Sequence, residues 1–206
     1  MKPTLKFEKK FWRKGFRYIA GLDEAGRGAL AGPITAAAVI LDRKKIENAK
    51  FKPFLRQIKD SKKLSPKSRE KILPFIKKIS LSQTIAHLSQ KIIDQKGISW
   101  ANLKVMELAI KKLKIKPDYL IVDGKLNLKN LKIPYSSIIN ADEKIISCSA
   151  ASILAKVSRD ILMKRLDKKY PNYGFGKHKG YGTKEHYRKI IRYGICPCHR
   201  KSFRLK

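Results

Sequence analysis

Short runs of β-branched and small apolar residues alternate along the chain with longer stretches whose apolar residues recur every three or four positions. Arg17–Leu22 (RYIAGL) predicts a strand, and the glycine-rich DEAGRG of Asp23–Gly28 predicts a turn. Pro33–Leu41 (PITAAAVIL) lacks polar alternation, which predicts a strand buried on both faces. Ser65-Pro66 reads as an N-cap followed by proline at the first helical position. The helix after it aligns Ile72, Leu73, Ile76 and Ile79 on one stripe, and Pro74 predicts a kink. Leu81–Leu88 predicts another strand. Ser99 is the expected cap of a helix carrying Leu103, Met106, Ile110 and Leu113, which ends before Pro117. Tyr119–Val122 predicts a strand that runs out at Asp123-Gly124, and Tyr135–Ile139 a further short one. Ala150, Ile153, Leu154, Val157, Ile161 and Leu166 mark a long helix, and the glycine- and aromatic-rich stretch 172–182 reads as a loop. Strands alternating with helices specify an α/β domain with a largely parallel or mixed sheet.

Composition narrows the partner. The 206 residues are 43% hydrophobic, enough for a sizeable core, so a wholly disordered chain is excluded. Lys and Arg number 49 against 16 Asp and Glu, a formal net charge of +33 that points to a polyanion, nucleic acid first. The longest apolar stretch, Ala29–Leu41, is interrupted by Gly32 and Pro33 and too short to span a bilayer. The basic N-terminus leads into no apolar segment of signal-peptide type, and Cys148, Cys196 and Cys198 form no even-numbered disulfide framework. A soluble, cytoplasmic, monomeric protein that faces nucleic acid and no membrane is expected.

With so few carboxylates, their placement carries weight. Asp23, Glu24, Asp123 and Asp142 each follow a short β-rich run, at the strand ends where α/β sheets place their sites. Asp23 and Glu24 are adjacent, so both reach one site only if the strand ends there and the chain turns at Ala25–Gly28. Taken singly, each of the four also suits a turn or a cap. Together they form a set of hard oxygen ligands suited to Mg²⁺ or Mn²⁺, and two such ions about 3.5–4 Å apart would serve phosphodiester hydrolysis.

The stretch Tyr18–Leu41, YIAGLDEAGRGALAGPITAAAVIL, resembles the signature segment of type 2 ribonuclease H, the ribonuclease HII family. The resemblance continues in Asp60–Ser65 (DSKKLS), Val122-Asp123-Gly124, Ala141-Asp142 and Ser149–Asp160 (SAASILAKVSRD). It reappears in Tyr170–Thr183 (YPNYGFGKHKGYGT) and faintly in His199–Phe203, in the family's order and over almost the whole chain. It implies a ribonuclease H-like fold, a mixed central sheet flanked by helices with a C-terminal helical extension from about residue 150, all in one catalytic domain spanning 1–206. It implies metal-dependent cutting of the RNA strand of RNA–DNA hybrids and at single ribonucleotides embedded in duplex DNA. Asp23, Glu24, Asp123 and Asp142 match the family's catalytic, metal-binding carboxylates. A sliding-clamp or polymerase partner is left open. Type 3 ribonuclease H carries an additional N-terminal domain, and with 22 residues before Asp23 that family is not the expected one.

Gly26-Arg27-Gly28 offers backbone groups free of bulky side chains, so a sugar and phosphate can approach closely. By the resemblance this segment and a tyrosine recognise the ribonucleotide junction; Tyr181 is the expected match and Tyr173 its competitor. Lys62, with Lys63 beside it, matches a phosphate contact. His178 and His186 suit phosphate contact or packing. Cys196-Pro197-Cys198-His199 has no second pair of ligands, so a structural zinc site is not expected there. The rival reading is a noncatalytic basic RNA-binding or ribosome-associated protein, which composition alone would accommodate.

Overall fold

In the computed structural model the described residues are 2–58, 61, 64–128 and 131–205. Their strands are β1 (Ile19–Ala25), β2 (Ile34–Leu41), β3 (Ser80–Leu88), β4 (Tyr119–Asp123) and β5 (Tyr135–Ile138). They form one sheet in the order β3-β2-β1-β4-β5. The pairs β1–β2 and β2–β3 are antiparallel, and β1–β4 and β4–β5 are parallel, so the sheet is mixed. The helices in chain order are α1 (Lys6–Arg13), α2 (Arg43–Glu47), α3 (Lys52–Leu55), α4 (Pro66–Ile79), α5 (Gln90–Lys96) and α6 (Ile98–Lys111). After the sheet come α7 (Ile146–Lys169), α8 (Phe175–His178) and α9 (Lys184–Tyr193).

The two-residue period of the strands divides the core. Ile19, Ala37, Val39 and Ile121 face α7, α4 and α1, while Ala20, Leu22, Ala36, Ala38, Leu120 and Val122 face α5 and α6. Every residue of β2 is buried, as a strand covered on both faces requires. Helix α7 lies tightly on β1 because Gly21 has no side chain: a β-carbon there would collide with the backbone of Ser147 and Cys148. A third, smaller apolar cluster (Ala31, Met163, Tyr173, Phe175, Cys196 and Cys198) fastens the C-terminal part to the far end of α7.

Several elements differ from the sequence reading. Strand β1 does not end at Leu22; pairing of Asp23, Glu24 and Ala25 with Ala37, Ala36 and Thr35 carries it through Ala25. The helix expected to start at Ser99 starts at Ile98 behind Gly97, whose φ of +81° suits glycine, and Ser99 lies inside it. Ser65 does cap α4 by accepting the Ser68 N–H, and α4 continues through Pro74. Stretch 172–182 is not all loop, since α8 lies within it.

Candidate active site

Asp23 and Asp123 stand abreast on neighbouring parallel strands, one position beyond the paired Leu22 and Val122. Both lie on the α7 side of the sheet by the strand period. Asn140, in the left-handed region at φ 55°, turns the chain after β5 and delivers Asp142 from a short 3₁₀ turn, Ala141–Glu143, ahead of α7. The carboxylates of Asp23, Asp123 and Asp142 each offer an oxygen, all within 4.8 Å of one another. Asp23 and Asp142 are buried and Asp123 is half-buried. Asp23 accepts the Glu24 N–H at 2.7 Å, and Asp123 accepts the Ala141 N–H at 2.5 Å, which ties the end of β4 to the Asp142 turn. Glu24 stands apart from the three-carboxylate group because strand pairing persists there, but it lines the same cavity.

Burial first, and then the charges of Glu24, Asp123 and Asp142, push the Asp23 carboxyl well above the usual range. A hydrogen bond from Ser152 on α7 pulls the other way. Crowded hard oxygen donors of this kind fit a divalent cation, whose charge offsets their mutual repulsion. Asp23, Asp123 and Asp142 are the residues whose oxygens converge and would hold it, with Glu24 on the wall of the same cavity.

A cavity of about 430 Å³ opens beside them. Its other walls include Gly26, Arg27, Gly28, Ser152, Lys156 and Tyr181. Two fully buried arginines underlie this part of the site. Arg200 donates to the carbonyls of Gly26 (2.7 Å), Arg27 (2.8 Å) and Gly32 (3.0 Å). Arg159 donates to those of Ala31 (3.1 Å), Pro33 (2.9 Å) and Lys179 (2.9 Å), and its guanidinium lies 5.3 Å from the Tyr181 ring centre. Gly26 has φ +90°, and a β-carbon on it would overlap the Arg159 side chain, so only glycine fits. The glycine-arginine-glycine backbone is thus held from beneath by two charge-assisted bonds from Arg200, and four more from the two arginines fix Ala31, Gly32, Pro33 and Lys179 beside it, while Arg27 and Gly28 face solvent.

Tyr181 is exposed at the cavity, whereas Tyr173 is buried, stacked on Phe175 and bonded through its hydroxyl to the Gly194 carbonyl at 3.0 Å. His178 and His186 are buried beneath the Tyr181 loop. Lys62 and Lys63 lie outside the described residues. Sequence reading missed Ser152, Lys156, Arg159 and Arg200 as parts of the site. The signal was present for the first three: polar residues at i, i+4 and i+7 mark one face of a helix that was read only for its apolar stripe.

A family model described as Ribonuclease HII matches residues 20–206. The chain belongs to the ribonuclease HII family. Ribonuclease HII of Caldicellulosiruptor bescii is 47% identical over 196 residues, covering 95% of this chain and 91% of its own. Ribonuclease H2 from Pyrococcus horikoshii has a similar structure, with a TM-score of 0.76 at 28% identity over 92% of this chain and 95% of its own. The Archaeoglobus fulgidus ribonuclease HII, solved in complex with PCNA, gives 0.74 at 27% over 92% and 96%. Membership makes the protein a divalent-metal-dependent endoribonuclease that hydrolyses the RNA strand of RNA–DNA hybrids. The noncatalytic rival reading is thereby set aside. Among the described residues no helix is long and apolar enough to cross a membrane.

Proposed function

We propose that the protein also incises duplex DNA at a single embedded ribonucleotide, leaving a 3′-hydroxyl and a 5′-phosphate. The observation that carries this reading is the cavity that joins Asp23, Glu24 and Asp123 to the Gly26–Gly28 backbone and Tyr181. Asp23, Glu24, Asp123 and Asp142 would hold two Mg²⁺ or Mn²⁺ ions, which would supply Lewis acidity for phosphodiester hydrolysis. The Gly26-Arg27-Gly28 loop and Tyr181, across the cavity, read the substrate. The 2′-hydroxyl is the local difference between RNA and DNA, and the uncluttered Gly26-Arg27-Gly28 backbone is where it can be contacted. Arg27 reaches phosphate, and Tyr181 packs on the deoxyribose one step beyond the ribonucleotide. Lys62 adds sequence-independent phosphate affinity. Such incision serves ribonucleotide excision and primer removal, and one chain suffices for it.

A duplex with one ribonucleotide, incubated with and without Mg²⁺ or Mn²⁺, tests the reading when the product ends are mapped. One metal-dependent nick at the ribonucleotide supports it. Cutting confined to continuous RNA–DNA hybrids overturns it.

A further inference from the structure

The C-terminal segment holds a second set of donor atoms that hybrid cleavage does not use. Cys196, Cys198 and His199 follow α9, where the chain returns to pair with Ala31, and one ligand atom from each lies within 4.8 Å of the others. All three are buried, at 8%, 2% and 1% exposure. The two sulfurs are 3.1 Å apart, and Cys196 Sγ is 3.2 Å from His199 Nδ1. Neighbouring hydrogen bonds set the tautomer of His199. Its Nδ1 accepts the Cys196 N–H at 3.0 Å, which puts the ring proton on Nε2. That Nε2–H donates to His186 Nε2 at 3.1 Å, and His186 Nδ1–H donates in turn to the Tyr181 carbonyl at 3.0 Å. A metal-ligating histidine donates its far N–H to a second group in this manner, which leaves the near nitrogen free to coordinate. Here the near nitrogen faces the sulfurs, and a cation would take the place of the Cys196 N–H.

Thiolate sulfur with imidazole selects thiophilic cations over Mg²⁺ or Mn²⁺. Two thiolates also neutralise a divalent ion, which matters beside Lys91 and Lys201 in a chain of net charge +33. A cavity of about 470 Å³ bordered by Asp94, Ile195, Cys196, Pro197 and His199 provides access. Zn–S bonds of about 2.3 Å in a tetrahedron put two sulfurs roughly 3.8 Å apart, so the pair needs to open by only a fraction of an ångström.

We propose that Cys196, Cys198 and His199 bind one thiophilic divalent cation of the zinc type, with the fourth position open to water from the adjoining cavity. Binding releases the two thiol protons and changes no oxidation state. The sequence lacks a second ligand pair, but the fold supplies His199 in the ligating tautomer and His186 to accept its far N–H.

Metal-free, fully reduced protein titrated with Co²⁺ without air tests the site. One equivalent should raise a thiolate-to-cobalt charge-transfer band with tetrahedral visible bands, lost on adding Zn²⁺ and unaffected by Mg²⁺. The carboxylate centre has no sulfur and contributes no such band. Cys198→Ser should weaken cobalt binding by at least about 10-fold. In wild-type protein, Zn²⁺ should also protect both cysteines from alkylation by iodoacetamide, a reading that needs no variant. Absence of the sulfur band in reduced protein, undiminished cobalt binding by folded Cys198→Ser, or equal alkylation with and without Zn²⁺ would overturn the proposal.

Discussion

At the scale of single residues, the proposed function assigns metal holding to the carboxylates and substrate reading to the loop and tyrosine across the cavity, and the two roles predict different losses. Asp123 has both jobs of a hinge: one oxygen accepts the Ala141 N–H, and its carboxylate belongs to the three-oxygen cluster. Asp123→Asn keeps the shape and removes the charge, so cleavage should fall by about two powers of ten or more, while hybrid affinity, carried by basic residues, is retained. Single-turnover rates beside binding isotherms check this; near-wild-type turnover would remove Asp123 from the centre. Tyr181 makes a different prediction. Aromatic stacking is worth about 1–3 kcal/mol, so Tyr181→Ala should lose about one to two powers of ten at a lone ribonucleotide. On a continuous hybrid, where most cut sites have no RNA-to-DNA junction, the loss should be smaller. A ring that only anchored its loop would give equal losses and a lower melting temperature, so both rates and the melt decide between the roles.

At the scale of elements, what was legible in the sequence was local. Asp123 and Asp142 stand out as strand-end carboxylates because β4 ends visibly at Asp123-Gly124 and α7 declares itself by its apolar spacing. Strand β1 was cut short because its last three residues, Asp23–Ala25, owe their conformation to β2 rather than to their own propensities. Helix α1 went unread since its buried Glu8, Phe11 and Trp12 stand among lysines and declare no strand or cap. The arginine supports were illegible for the same reason of distance: Arg200 bonds to Gly26 across 174 positions. Helix α7 is the element on which these long-range contacts converge, and its first turn is sensitive. Gly21→Ala would press a methyl into rigid backbone, with a cost of roughly 1–3 kcal/mol and a lower melting temperature. Glu8 accepts the Ser147 N–H at 2.9 Å in the same turn, and burial raises its carboxyl above the ordinary 4.5 despite that bond. The folded state therefore keeps the proton to higher pH than the unfolded chain, and the associated stability, full below about pH 4.5, is lost as pH rises through the folded value. Glu8→Gln should flatten that decline and lead the wild type near neutral pH, with the two converging in acid. Urea midpoints across this range measure it, and parallel curves would show that Glu8 does not titrate in the window.

At the scale of the whole molecule, the dominant fact is a net charge of +33 over a site built from carboxylates. Those two features cooperate if the basic surface gathers the polyanion and the acidic centre acts on one bond within it. The alternative is that the lysines form a solvated shell with no part in binding. Salt distinguishes the two, because each neutralised phosphate contributes about −0.9 to the slope of log affinity against log salt on duplex DNA. A surface that meets about six to ten phosphates loses roughly 10³–10⁵ in affinity between about 50 and 200 mM salt. We expect a slope of at least that size for a hybrid duplex, measured by anisotropy with Asp123→Asn so that cleavage does not intrude. The slope should match that of wild-type protein held without divalent metal, since the acidic centre contributes no phosphate contact of its own. A slope near −1 would mean that most of the excess charge faces solvent, and that affinity rests on the Gly26–Gly28 backbone and Tyr181 instead.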